Sequence, residues 1–254
     1  MPQRDLEHGD SAPFVFVHGG RHGGWCWQRV VERLRRRGHM TYAPSLSGLG
    51  DRAHLLSREI GLAVHVQDVV SLFDYEDITG AILVAHSYGG MVVSGAMESI
   101  ADRVRSLVFL DAHMPLPGES LFDLLQPENV TLLLAQADAH GDGWRIPVCD
   151  AGFWGVTEQV DKDWVNPRIT PQPLKTYLDP VGPTGRAWQS AGMFIECRRS
   201  TGSATPAHIT RPRERSQKDE RFLYRILDST HDAMITAPGD VTKLLLEAAM
   251  IPVI

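Results

Sequence analysis

The sequence predicts an α/β fold, a mostly parallel central sheet with helices on both faces, from three observations. Short runs of wholly apolar residues recur along the chain, amphipathic helical stretches separate them, and one run ends in a serine-bearing turn that opens a helix. Runs without polar alternation mark strands buried on both sides, as in parallel sheets. Phe14-Val15-Phe16-Val17 is the first and stops at His18-Gly19-Gly20. Trp27 to Leu34 then has helical apolar spacing and closes at Gly38, and Met40 to Pro44 is a short strand ended by proline. Helical spacing returns over Leu62 to Tyr75 through Val66, Val69, Val70 and Phe73. Ala81 to Ala85 is the next strand and Met91 to Ile100 the next helix. Val104 to Leu110 is a further strand, ending on Asp111.

From His113 to about Gln189 this alternation fades into a proline-containing stretch with Trp144, Trp154 and Trp164. It reads as an inserted cap, residues 113–189, between two parts of one core, residues 1–112 and 190–254. The core resumes with strand Gly192 to Cys197 and a long polar segment from Arg198 to Asp219. Strand Arg221 to Leu227, a loop bearing His231 and a closing helix from Gly239 to Met250 complete it.

Composition excludes several function classes. With 254 residues, 43% of them hydrophobic and 22% charged, the chain can bury a sizeable core, which sets aside disordered and fibrous classes. A net charge of −6, with no basic stripe interleaved with aromatics, argues against a nucleic-acid groove. The basic run Arg35-Arg36-Arg37 falls where a helix ends and reads as a solvated C-terminus. Cys26, Cys149 and Cys197 are odd in number and widely spaced, which points to a reducing compartment. The polar N-terminal stretch has no apolar segment of signal or anchor type, so the expected location is cytoplasmic, without membrane association. No metal-ligand spacing is present, and neither metal nor cofactor is expected. The expected partner is a small-molecule substrate, with a second copy of the chain left open.

The chemistry centres on Ser87. A serine hydroxyl is a poor nucleophile at neutral pH, so it must be aimed at the substrate and given a base. A sharp strand-to-helix turn does the aiming, and it needs small residues two before and two after the serine. Those positions hold Ala85 and Gly89, with alanine in place of the usual glycine. Negative charge developing on the carbonyl oxygen then needs fixed N–H donors. Tyr88, directly after the nucleophile, and Gly20, in the loop after the first strand, are the expected pair.

VFVHGGRHGGWCW, APSLSGLGDR, VAHSYGGMVV and LDSTHDAMITAP together resemble the plant methylesterase and hydroxynitrile lyase branch of the α/β-hydrolases and its bacterial esterase relatives. The resemblance covers Phe14 to about Leu125 and Phe222 to the end of the chain. It implies an α/β-hydrolase fold. Lyases of this branch typically carry a threonine and a lysine where this chain has Gly19 and Asp232. Lacking a hydroxyl and an ammonium there to stabilise departing cyanide, the chain is expected to cleave esters.

His231 follows an apolar strand late in the chain, where this fold delivers its general base. The resemblance would put the third member, a carboxylate, just after Cys197, but Arg198-Arg199-Ser200-Thr201-Gly202 contains none. Asp111, at the end of the strand that follows the nucleophile helix, is the preferred acid. Asp219, Glu220 and a bare Ser87–His231 dyad stay open. The expected function is a serine hydrolase cleaving a methyl ester, aryl ester or lactone of a small hydrophobic substrate through an acyl-enzyme. A non-hydrolytic lyase or tailoring enzyme on the same scaffold, or a catalytically weak ligand-binding receptor, is the alternative.

Overall fold

A computed structural model describes residues 12–200 and 204–252. His8 and the Thr201-Gly202 part of the candidate acid segment lie outside the described residues.

In chain order the first half holds β1 (Phe14–Val17), α1 (Gln28–Arg35), β2 (Thr41–Tyr42), α2 (Leu62–Tyr75), β3 (Ala81–His86), α3 (Gly89–Ile100) and β4 (Val104–Leu110). Next come α4 (Pro127–His140), β5 (Arg145–Ile146), α5 (Gln159–Val165), β6 (Gln172–Pro173) and α6 (Lys175–Leu178). The chain closes through β7 (Gly192–Cys197), α7 (Ala207–Lys218), β8 (Phe222–Leu227), α8 (Ala233–Thr236) and α9 (Pro238–Ala248). Six strands form one sheet in the order β2-β1-β3-β4-β7-β8, and every neighbouring pair is parallel. The pair β5–β6 is a separate antiparallel ribbon.

The continuous apolar runs have a direct cause. Successive strand side chains point to opposite faces, and both faces are covered. Phe14 and Phe16 of β1, with Ile82 and Val84 of β3, pack with Trp27 and with Leu34 of α1 and Leu245 of α9. Their neighbours Val15, Val17, Leu83 and Ala85 pack the other way, with Phe73 of α2 and Met91 of α3. A polar residue at any of these positions would enter one of two dry layers, so the pattern allows none.

The polar segment expected from Arg198 to Asp219 instead contains α7, with Pro212 inside it. This helix lacks an apolar stripe and is held by charge. Arg211 donates two hydrogen bonds to Glu119, at 2.7 and 2.8 Å. The buried Arg215 lies 3.9 Å from the centre of the Phe222 ring and donates to the carbonyls of Ala187 and Ser190. Apolar periodicity could not reveal a helix anchored this way. The closing helix begins at Pro238, and the short α8 before it was also absent from the sequence expectation.

Candidate active site

Ser87 lies between β3 and α3 with φ of 52°, a left-handed conformation that costs a non-glycine residue about 1–2 kcal/mol. Its surroundings enforce the turn. The Ser87 carbonyl accepts hydrogen bonds from Gly90 N–H at 3.0 Å and His113 N–H at 3.1 Å. A Cβ on Gly89 would come within 2.7 Å of the Val17 carbonyl oxygen, and one on Gly90 would collide with the His113 carbonyl. The paired glycines are therefore required, because the exits of β1 and β4 cross the first turn of α3. Ala85 fits in the β3 interior, with no exposure at all.

The left-handed turn brings Ser87 to a cavity of about 130 Å³, whose wall also includes Tyr88, Asp111, His113, His208 and His231. That volume is close to the ~150 Å³ that admits a benzene ring. Asp111 is itself left-handed, with φ of 44°, and its N–H donates to the Ile195 carbonyl at 2.8 Å. Its Oδ2 accepts a 2.6 Å hydrogen bond from His231 Nδ1, and Oδ1 accepts one from Cys197 N–H at 3.3 Å. His208 Nε2 stands 3.7 Å from the same Oδ1.

Burial works against both charges of this pair, but the pairing outweighs it. The hydrogen bond from His231 and the nearby His208 ring hold the Asp111 carboxyl well below its ordinary range. For His231, the hydrogen bond and charge of Asp111, with that of Asp232, overcome the burial penalty and raise the pKa above 6.5. A carboxylate bonded to Nδ1 leaves Nε2 as the basic nitrogen.

The other candidate acids are elsewhere. Asp219 is bound to Arg221 at 3.0 Å, and Glu220 is exposed beside it; both precede the start of β8. His231 follows the opposite end, separated by a six-residue strand, roughly 20 Å at about 3.3 Å per residue. The position just after β7 carries Ser200, whose Oγ is 3.4 Å from His231 Nδ1.

Two loops meet behind the site. His22 donates from Nδ1 to the Gly20 carbonyl at 2.9 Å and from Nε2 to Asp232 Oδ2 at 3.0 Å. His86 Nε2 donates to the His231 carbonyl at 3.1 Å. His18 donates from Nδ1 to the Gly19 carbonyl and accepts from Leu46 N–H at Nε2. Burial pushes His18 and His86 down to about 3, so both are neutral rings near pH 7. A Cβ on Gly19 would lie 2.9 Å from that of Ser87, which places this loop against the nucleophile. Gly20 is not itself in the cavity wall; the adjacent Arg21 is. Tyr88 occupies the N-cap of α3, where a backbone N–H has no intrahelical acceptor. The residues that could approach a metal, His86, His231 and Asp232, place one donor atom each within 4.8 Å of one another. Hydrogen bonds already engage His86 Nε2 and His231 Nδ1.

Within residues 113–189, Leu125, Phe153, Trp154 and Tyr177 line the cavity. Trp144 and Trp164 instead stack with arginines, Arg58 and Arg145 for the first, Arg29 and Arg168 for the second. His208 and Arg21 were missed by sequence reasoning. His208 had no signal because its helix reads as a polar loop. Arg21 could have been found from its place in the glycine-rich loop, where a large cation is out of keeping.

The sequence pattern of the Alpha/beta hydrolase family matches residues 14–244. The chain is 41% identical over 179 residues to a carbendazim hydrolyzing esterase of Nocardioides sp. (strain SG-4G), covering 67% of this chain and 73% of that protein. It is 23% identical over 261 residues to a putative chloroplastic methylesterase of Arabidopsis thaliana, covering 97% of this chain but 59% of that one. The chain thus spans about three fifths of the length of that plant relative. Among solved structures, an extracellular α/β-hydrolase from a Paenibacillus species superposes with a TM-score of 0.81 at 21% identity, over 93% of this chain and 98% of the other. Tomato methylketone synthase I superposes with a TM-score of 0.73 at 20% identity, over 95% and 98%. Among the described residues, no helix is long and apolar enough to cross a membrane.

Proposed function

We propose that this chain, which belongs to the α/β-hydrolase family and is a carboxylic ester hydrolase, cleaves its ester through an acyl-enzyme on Ser87. The observation that carries the reading is the 2.6 Å contact between His231 and Asp111 in the wall of the cavity that contains Ser87. Ser87 Oγ attacks the ester carbonyl while His231 Nε2 takes its proton. Asp111 keeps the Nδ1 proton in place and stabilises the imidazolium. The backbone N–H groups of Tyr88 and Gly20 hold the oxyanion, and the positive end of α3 adds to that field. His231 then protonates the departing alcohol. Water enters, loses a proton to the same nitrogen, and releases the acid.

In this reading residues 113–189 form a cap, and Leu121, Leu125, Phe153, Trp154 and Tyr177 supply an apolar wall for the substrate. A small methyl ester, aryl ester or lactone suits a cavity of ring-like size, and relatives named as methylesterases support the methyl ester. The cyanohydrin alternative loses ground, since Asp232 stands where a lysine would be needed and is buried against His22.

A fluorophosphonate probe tests the reading. Mass spectrometry should find the adduct on the peptide that contains Ser87, and Ser87→Ala should abolish both labelling and hydrolysis of p-nitrophenyl acetate. Folded, monodisperse protein that neither reacts nor turns over the ester would overturn it.

A further inference from the structure

Arg21 extends from the glycine-rich loop into the cavity wall and is only 5% exposed. Its backbone is left-handed, with φ of 65°, and is pinned on both sides. The N–H donates to Gln172 Oε1 at 2.8 Å, and the carbonyl accepts from Thr170 N–H at 2.9 Å. The guanidinium is poorly matched by protein. Nη1 donates to two neutral groups, at 3.3 Å to the Pro147 carbonyl and at 3.2 Å to Cys149 Sγ, neither of which carries a counter-charge. Cζ lies 5.0 Å from the Trp154 ring centre and 5.7 Å from that of Phe153, and Nε is buried with no partner.

Among the described residues, no carboxylate comes within 4 Å of this group, whereas the comparably buried Arg215 has Asp219 at 3.6 Å. A buried cation without a counter-charge is a large electrostatic cost, and it persists where something outside the chain supplies that charge. Because Arg21 shares the cavity wall with Ser87 and Tyr88, that missing charge falls to whatever the cavity binds.

We propose that Arg21 receives a carboxylate carried by the ester substrate, so that the preferred substrates are half-esters of small dicarboxylic acids. This rests on the reading of Ser87 as the nucleophile. Guanidinium and carboxylate match in charge and in planar hydrogen-bond geometry, and the Trp154 ring against the guanidinium restricts the side chain. A wholly apolar cavity would reject such a substrate, since the carboxylate would lose its water without replacement. A preference for the charged ester is therefore diagnostic.

The test compares kcat/KM for monomethyl succinate, glutarate and adipate with that for methyl butyrate and methyl valerate. At one chain length the half-ester should win by about 10- to 100-fold, the range charge-assisted hydrogen bonds supply. Arg21→Gln, which retains a donor, should erase the preference of the half-ester over the neutral ester. Should that variant fail to fold, wild-type protein gives the same comparison through product inhibition: the matching dicarboxylate should compete at least tenfold better than the monocarboxylate. Half-esters no better than neutral esters, or a preference unchanged in Arg21→Gln, would overturn the assignment while leaving Ser87 labelling intact. If no ester is cleaved and the fluorophosphonate finds no serine, the underlying reading fails and this one with it.

Discussion

Asp111 meets three separate demands at one position: a left-handed backbone, a hydrogen bond from Cys197 N–H and a shared contact with His231. Aspartate tolerates the first better than most residues and satisfies the others with its two oxygens. Replacing it with Asn preserves the shape but removes the charge that raises the His231 pKa. Since His231 acts as a base only when neutral, kcat/KM should rise with pH through a midpoint above 6.5 in the wild type. In Asp111→Asn burial is left largely unopposed, so the midpoint should move down while kcat drops by about three to four orders of magnitude. A pH–rate profile between about pH 5 and pH 9 reads both effects, and a midpoint that stays put would remove Asp111 from the mechanism. Ser200→Asp in that background, with its side chain already near His231, should recover at least about tenfold of the loss. The turn at Ser87 and the loop that carries His231 were legible in the sequence because each has its own local signature. That Asp111 would meet His231 was legible only as a preference, since the contact depends on which strand ends lie together in the sheet.

Elements fix this site more firmly than any single side chain. The order β4-β7-β8 puts the end of β4 two strands from the His231 loop, and a 2.6 Å contact closes the gap. The six strands of the main sheet could be placed, chiefly from apolar runs, whereas β5, β6 and α7 could not, and α7 is held by arginine–carboxylate and arginine–aromatic contacts. The Asp232–His22 bond ties the loop after β1 to the loop after β8, and both contacts of His22 require a ring nitrogen to donate. Asp232 had entered the sequence reading only as a missing lysine, since nothing in the local pattern shows a partner 210 positions away. Asp232→Ala leaves that ring without its buried acceptor and should cost about 3 kcal/mol in urea unfolding. It should also lower kcat more than it raises KM, because the Gly20 carbonyl loses the group that orients its loop. Unchanged stability and turnover would show that the two loops hold their positions independently.

The whole molecule stores several histidines as uncharged groups in its interior, and this sets its response to acid. Burial lowers His18 and His86 to about 3 and His65 to about 4, while an unfolded histidine titrates near 6.5. Below pH 6.5 the unfolded chain therefore binds protons at these positions that the folded chain refuses until pH approaches 3 or 4. Stability must fall with pH across that window, by up to about 1.4 kcal/mol per pH unit for each ring. His231 acts in the opposite sense. Its folded pKa is raised, so its contribution is fully present below 6.5 and is lost as pH rises through the folded value. Four rings, since burial also holds His113 well below its ordinary range, against one leave a net loss of several kcal/mol between pH 7 and pH 5, well above the range in which carboxylates titrate. Urea unfolding at the two pH values measures it, and replacing His65 with Gln, which can still meet Tyr88 and the Ser47 carbonyl, should shrink the difference. A stability that stays flat from pH 7 to pH 5 would mean that these rings take up protons in the folded chain as readily as in the unfolded one. The two dry layers around the sheet would then be more open to water than their packing allows.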